Sequence, residues 1–136
     1  MAGNGKAGFE ALDGAAGRPS YRTRDHRVME VEIDGRVYRA ELGNLTFALE
    51  AAEVGEKMRA IGEPGIDPGE MIARAEDFSN SVRAMAAEMF GEEAADELVG
   101  GAHRLDILRI ADVVRIMADI ARSDESISAA REAFGA

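Results

Sequence analysis

Cysteine is missing from the chain altogether, which removes disulfide staples and thiolate metal sites together. A reducing compartment is consistent with that absence. Tryptophan is also missing, and two tyrosines and five phenylalanines supply all the aromatic rings. A core must therefore be filled by aliphatic side chains, alanine and the seven methionines. Methionine adapts to irregular gaps and to varied partners, although filling a helical core is its plainer use. Positive charge is short as well, since 16 Lys and Arg face 26 Asp and Glu, for a formal net charge of -10. Phosphate backbones are bound by clustered cations. That shortage excludes nucleic acid as the expected partner and favours solubility or a basic protein partner. No apolar run approaches the ~18 residues of a membrane-spanning helix. The first residues, MAGNGKAGFEALDG, lack a stretch of signal-peptide length. The expectation is one soluble cytoplasmic domain with no membrane partner.

What is present divides into three parts. Residues 1–27 are rich in Gly and Ala, with few large apolar side chains beyond Phe9, Leu12 and Tyr21. Too little surface can be buried there to offset the entropy of ordering, so a disordered glycine-rich arm is expected. Its later half, RPSYRTRDHR, is locally basic and reads as a solvated tail, with docking on an acidic surface as the alternative. Residues 28–122 read as a hairpin plus helical domain, and residues 123–136 as a helical or mobile tail.

In VMEVEIDGRVYRAEL, apolar and polar residues alternate on either side of Asp34-Gly35. Both positions of a two-residue hairpin turn want positive φ, which Asp-Gly supplies. The register then pairs Ile33 with Arg36, Val31 with Tyr38 and Met29 with Ala40, and sets Glu30 opposite Arg39 as a cross-strand charge pair. A lone hairpin is marginal in water. It has to lie on the helices or join strands of another copy, and its free edge offers a route to self-assembly.

Asn44 reads as the N-cap of a helix running to about Ile61, with Phe47, Ala51, Val54, Met58 and Ile61 on one stripe. Gly62 and Pro64 end it. Asp67 caps a second helix that has Pro68 in its first position, and Met71, Ala75, Phe78, Val82, Met85 and Met89 form its stripe. The two read as an antiparallel pair. Gly91 and the Gly100-Gly101 pair read as left-handed helix stops on either side of a short acidic helix, Glu92 to Val99, which turns Phe90, Leu98 and Val99 inward. Asp106 begins a long helix with Ile107, Ile110, Ala111, Val114, Met117 and Ile120, and Val113 and Ile116 widen that stripe. So broad a stripe implies a central position or a face left for a partner. Met117, Ile120, Val113 and Ile116 are accordingly the candidate protein-binding residues. In the tail, Ile127, Ala130 and Phe134 fall on one side of a helix starting at Ser123 or Ser126. The fold class is α+β and mostly helical: an N-terminal β-hairpin packed on a bundle of three main helices plus one short helix.

The pattern offers little reaction chemistry. His26 and His103 have no second ligand at a metal interval, and His103 reads as a capping or surface residue. Glu92, Glu93, Asp96 and Glu97 lack the spacing of a calcium loop and read as a solvated helix face. No serine sits in a nucleophile turn, and Gly62, Gly65 and Gly69 do not make a phosphate loop. The expectation is a non-enzymatic protein with no cofactor and no metal.

The stretch FGEEAADELVGGAHRLDILRIADVV, Phe90 to Val114, resembles a family of small proteins encoded in the tail-morphogenesis region of phages and prophages of Gram-positive bacteria. There too a Phe-Gly corner, a short acidic helix and a Gly-Gly step precede a final apolar helix. The stretch VEIDGRVYRAELGN looks like their opening hairpin, and the likeness covers Met29 to Arg122. His103, Arg104 and a corner helix ending in Leu98-Val99, where an aromatic is more typical, depart from the pattern. The resemblance implies a tail assembly chaperone. Such a protein coats a tape measure protein, an apolar helical client, and self-associates in the bacterial host cytoplasm without entering the mature virion. The rival readings are a head–tail connector or tail-completion protein, which closes into a ring of fixed copy number, and an antitoxin-like module that neutralises a basic enzyme.

Overall fold

The computed structural model describes residues 10–12, 17–23 and 27–135. The fold is α+β, with two antiparallel strand pairs and five α-helices among the described residues. Within the segment read as a disordered arm, β1 (Glu10–Leu12) pairs with β2 (Ser20–Arg22). The other residues of that arm, among them His26, lie outside the described residues or outside any element.

The hairpin is β3 (Val28–Ile33) with β4 (Arg36–Glu41), in the register that the Asp-Gly turn predicts: Ile33 opposite Arg36, Val31 opposite Tyr38, Met29 opposite Ala40 and Glu30 opposite Arg39. Asp34 and Gly35 take φ of 53° and 82°, the two left-handed positions such a turn requires. Ile33, Tyr38 and Ala40 are buried against the helices. The opposite face, with Glu32 and Val37, is exposed.

The N-cap of helix α1 (Thr46–Ile61) is Leu45, without a side-chain cap bond, one residue past the expected Asn44, whose Oδ1 accepts from the Thr46 amide at 3.1 Å ahead of the helix. In α2 (Pro68–Phe90), Asp67 Oδ1 accepts from the Glu70 amide at 2.9 Å, and Pro68 occupies the first turn. Lys57 meets Ser81 while Glu50 and Glu88 line a shared cleft, which is an antiparallel register. Ala75, Phe78, Val82, Met85 and Met89 are buried along the predicted stripe. Met71 is not, at 42% exposed, because it sits in the first turn of α2, at the loop end of the pair. Arg74 closes that end by donating to the Ala60 carbonyl at 2.6 Å, one of the last-turn acceptors that lack an intrahelical partner.

The corner is α3 (Glu92–Val99), followed by a single 3-10 turn (Gly101–His103), then α4 (Ile107–Ala121) and α5 (Asp124–Gly135). Leu98 and Val99 are fully buried, whereas Phe90 is partly buried and packs edge-on to Tyr38 at 6.0 Å. Two of the three glycine stops differ from the predicted left-handed form. Gly91 has φ 97° and ψ 161°, a region essentially closed to other residues. Gly100 is extended, and a Cβ there would lie 2.9 Å from the Cα and the carbonyl oxygen of Asp96; close approach to the preceding turn, not backbone handedness, demands glycine.

The acidic face of α3, read as solvated, is exposed and also makes specific pairs. Asp96 accepts from Arg83 Nη2 at 2.6 Å, and Glu97 accepts from the Tyr38 hydroxyl at 3.2 Å while pairing with Arg36 at 3.3 Å. Burial, and next the bond to Glu97, raise the Tyr38 hydroxyl above its usual value. In α4, Asp106 caps the Arg109 amide, and Ile110, Val113, Met117 and Ile120 close the core over α1 and α2.

Candidate protein-binding site

The four residues nominated from the breadth of the α4 stripe do not form a surface. Met117 is 0% exposed, Val113 1% and Ile120 5%. These three are core residues, because α4 is flanked by α1, α2, α3 and α5 together and its wide stripe is what a central helix needs. A contact role for them in the folded chain is therefore replaced by a packing role. Ile116 is half-buried at an open groove of about 340 Å³ with Ile33, Asp34 and Arg109, whose floor Val113 also reaches.

Apolar surface gathers elsewhere, where α5 meets the start of α1. Ser123 turns the chain: its Oγ donates to the Ile120 carbonyl at 2.7 Å and accepts from the Ser126 amide at 3.2 Å. One turn on, Ser126 is 1% exposed, and its hydroxyl accepts from the Gly43 amide at 3.2 Å. Arg27 pairs with Glu132 farther along α5. With the Ser126 side of α5 thus held down, Ile127, Ala130 and Phe134, which helical spacing puts on one flank, turn outward. They line an open groove of about 510 Å³ with Leu45 and Arg131. Phe134 is 92% exposed, Leu45 47%, and Leu49, one turn further along α1, 70%. The tail residues were legible as a group. Leu45 and Leu49 were not, since they lie off the stripe that defines α1; a second apolar row outside that stripe was the signal available.

A third concavity, about 240 Å³, separates α1 from α2 and is lined by Glu50, Glu53, Lys57, Ser81 and Glu88, among others. Lys57 Nζ donates to Ser81 Oγ at 2.8 Å and pairs with Asp77 at 3.1 Å, so that serine faces a paired ammonium rather than a base. Glu50 Oε1 is buried with no hydrogen-bond partner among the described residues. Burial first, then the charges of Glu88 and Glu53, raise the Glu50 carboxyl.

His103 Nδ1 lies 3.9 Å from Asp106 Oδ2 at the half-exposed corner. Among the described residues no three His, Asp or Glu side chains are grouped as metal ligands, and no helix is long and apolar enough to cross a membrane. What the described residues offer is an apolar groove between α5 and Leu45 at the start of α1, and a separate cleft lined by carboxylates. Comparisons with protein-family models, with curated proteins and with solved structures return no match.

Proposed function

We propose that this chain is a non-enzymatic, chaperone-like protein that seats an apolar helical segment of a client in the groove between the start of α1 and α5. The observation that carries the reading is the near-complete exposure of Phe134, which lines a groove with the exposed Leu45. Single exposed apolar side chains are ordinary, but a group that lines a groove marks a surface meant to be covered. The apolar flank of α5 facing Leu45 suits a helix laid into the groove with its apolar side chains at three- and four-residue spacing.

The client that the sequence resemblance suggests is a tape measure-like protein, held in the host cytoplasm during tail assembly. Self-association belongs to the same reading, with the free edge of the β3–β4 hairpin as one route. The test is co-expression with a long, apolar helical tape measure-like protein, comparing the wild type with Phe134→Ser and Leu45→Ser. The wild type is expected to keep the client soluble and to co-purify with it, and the variants to lose both. Equal capture by all three chains overturns the assignment to this groove. A closed ring of fixed copy number, seen by light scattering across protein concentrations, replaces the chaperone reading with the connector one.

A further inference from the structure

The outer surface of α1 changes character along its length. Leu45, Leu49 and Glu53 succeed one another at four-residue spacing, so they form one ridge that spans about 12 Å from first to last. The ridge starts at the apolar groove with Ile127, Ala130 and Phe134 and ends at the α1–α2 cleft, where Glu50 and Glu88 join Glu53. Among the described residues, none of these three carboxylates is bound to a cation. The cleft's own cation, Lys57, is engaged by Asp77 and Ser81. At the other end, Arg131 lines the groove. Apolar contact and negative charge thus lie in sequence on one helix-length surface, and positive charge lies at the opposite end.

We propose that the client segment is a helix whose apolar row is followed, about eight residues along, by Lys or Arg side chains that enter the cleft between Glu50, Glu53 and Glu88. The interval follows from the 12 Å ridge divided by the ~1.5 Å helical rise. The inference rests on the groove-binding reading above and adds its charge chemistry and its polarity. A basic flank pointing the other way leaves the carboxylates without a partner. Such complementarity selects partners and speeds encounter, and it weakens with salt.

The experiment uses the full chain and two fluorophore-labelled 18-residue amphipathic helical peptides of Leu, Ala and Gln. One carries two Lys residues about eight residues on from the first leucine of its row, and the other has Gln at those positions. Anisotropy is measured against the wild type, Phe134→Ser, Glu53→Gln and the triple Glu50→Gln/Glu53→Gln/Glu88→Gln chain, at low and high salt, with folding checked by circular dichroism. The lysine peptide is expected to bind the wild type about tenfold more tightly at low salt, a difference of ~1.4 kcal/mol. The preference is expected to shrink in high salt and in Glu53→Gln, and to vanish in the triple variant. Equal affinity for the two peptides, or a lysine preference that survives in the triple variant, overturns the inference and leaves the groove intact. Binding of both peptides that is indifferent to Phe134→Ser overturns the groove itself.

Discussion

Arg109 Nη1 lies 2.6 Å from Asp34 Oδ2, so a residue in the first turn of α4 holds the tip of the hairpin 75 residues earlier in the chain. The same guanidinium donates from Nε to the Leu98 carbonyl at 2.9 Å, filling an acceptor that the end of α3 leaves open. Hairpin, corner and central helix therefore meet on one side chain, which is only 23% exposed.

The two halves of that contact are of unequal worth. Asp34 is mostly exposed, and Asn tolerates the left-handed turn position. Asp34→Asn is expected to cost about 0.2–1 kcal/mol, as for surface ion pairs. Arg109→Ala also removes the charged donor from a helix-end carbonyl and is expected to cost about 1.5–3 kcal/mol. Urea denaturation of both variants checks this; equal losses would place the whole effect in the ion pair.

Ser126 governs whether α5 stays where the groove needs it. Ser126→Ala leaves the part-buried Gly43 amide without its side-chain acceptor, a loss of about 1 kcal/mol. Hydrogen exchange is expected to quicken through α5 while α2 stays protected. Uniform quickening across all helices would show that α5 does not open separately.

Gly100→Ala puts a methyl group 2.9 Å from backbone atoms of Asp96. The turn has to shift, at a cost of about 1–3 kcal/mol typical of overpacking. Gly55, inside α1, has nothing within 4 Å of an added Cβ, and there alanine is expected to stabilise by about 0.5–1 kcal/mol. Thermal melts of the two variants moving in the same direction would contradict the close-approach account.

Glu50 sets a pH dependence. Its carboxyl is raised above the ordinary 4.5 in the folded chain, by burial and then by Glu88 and Glu53, so the folded state holds that proton to higher pH than the unfolded state does. Where the unfolded state binds fewer protons, stability falls as pH rises. The loss is expected to begin at the ordinary carboxylate value, to be complete above the raised folded one, and to persist at neutral pH. Glu50→Gln keeps the shape without the charge. It is expected to be more stable than the wild type at pH 7 and to lose that margin in acid, read from denaturation midpoints across pH. A Gln variant less stable at pH 7 would mean that a cation balances Glu50.

Much of the fold was legible because its signals are local. Asp34-Gly35 between alternating runs determined the hairpin and every pair in its register; Asp67-Pro68 marked the start of α2; the spacing of Ala75, Phe78, Val82, Met85 and Met89 named its buried face. These patterns act over a few residues, where backbone sterics and helical repeat decide the outcome. Met117, Val113 and Ile120 were equally legible as apolar, but periodicity tells which side of a helix is apolar and not what covers it. Only the assembled chain decides that α4 is enclosed and that Leu45, Leu49 and Phe134 are left outside. The reason is physical: coverage depends on contacts such as Arg109 with Asp34 and Gly43 with Ser126, made between elements far apart in sequence, and no local spacing encodes which distant neighbour arrives.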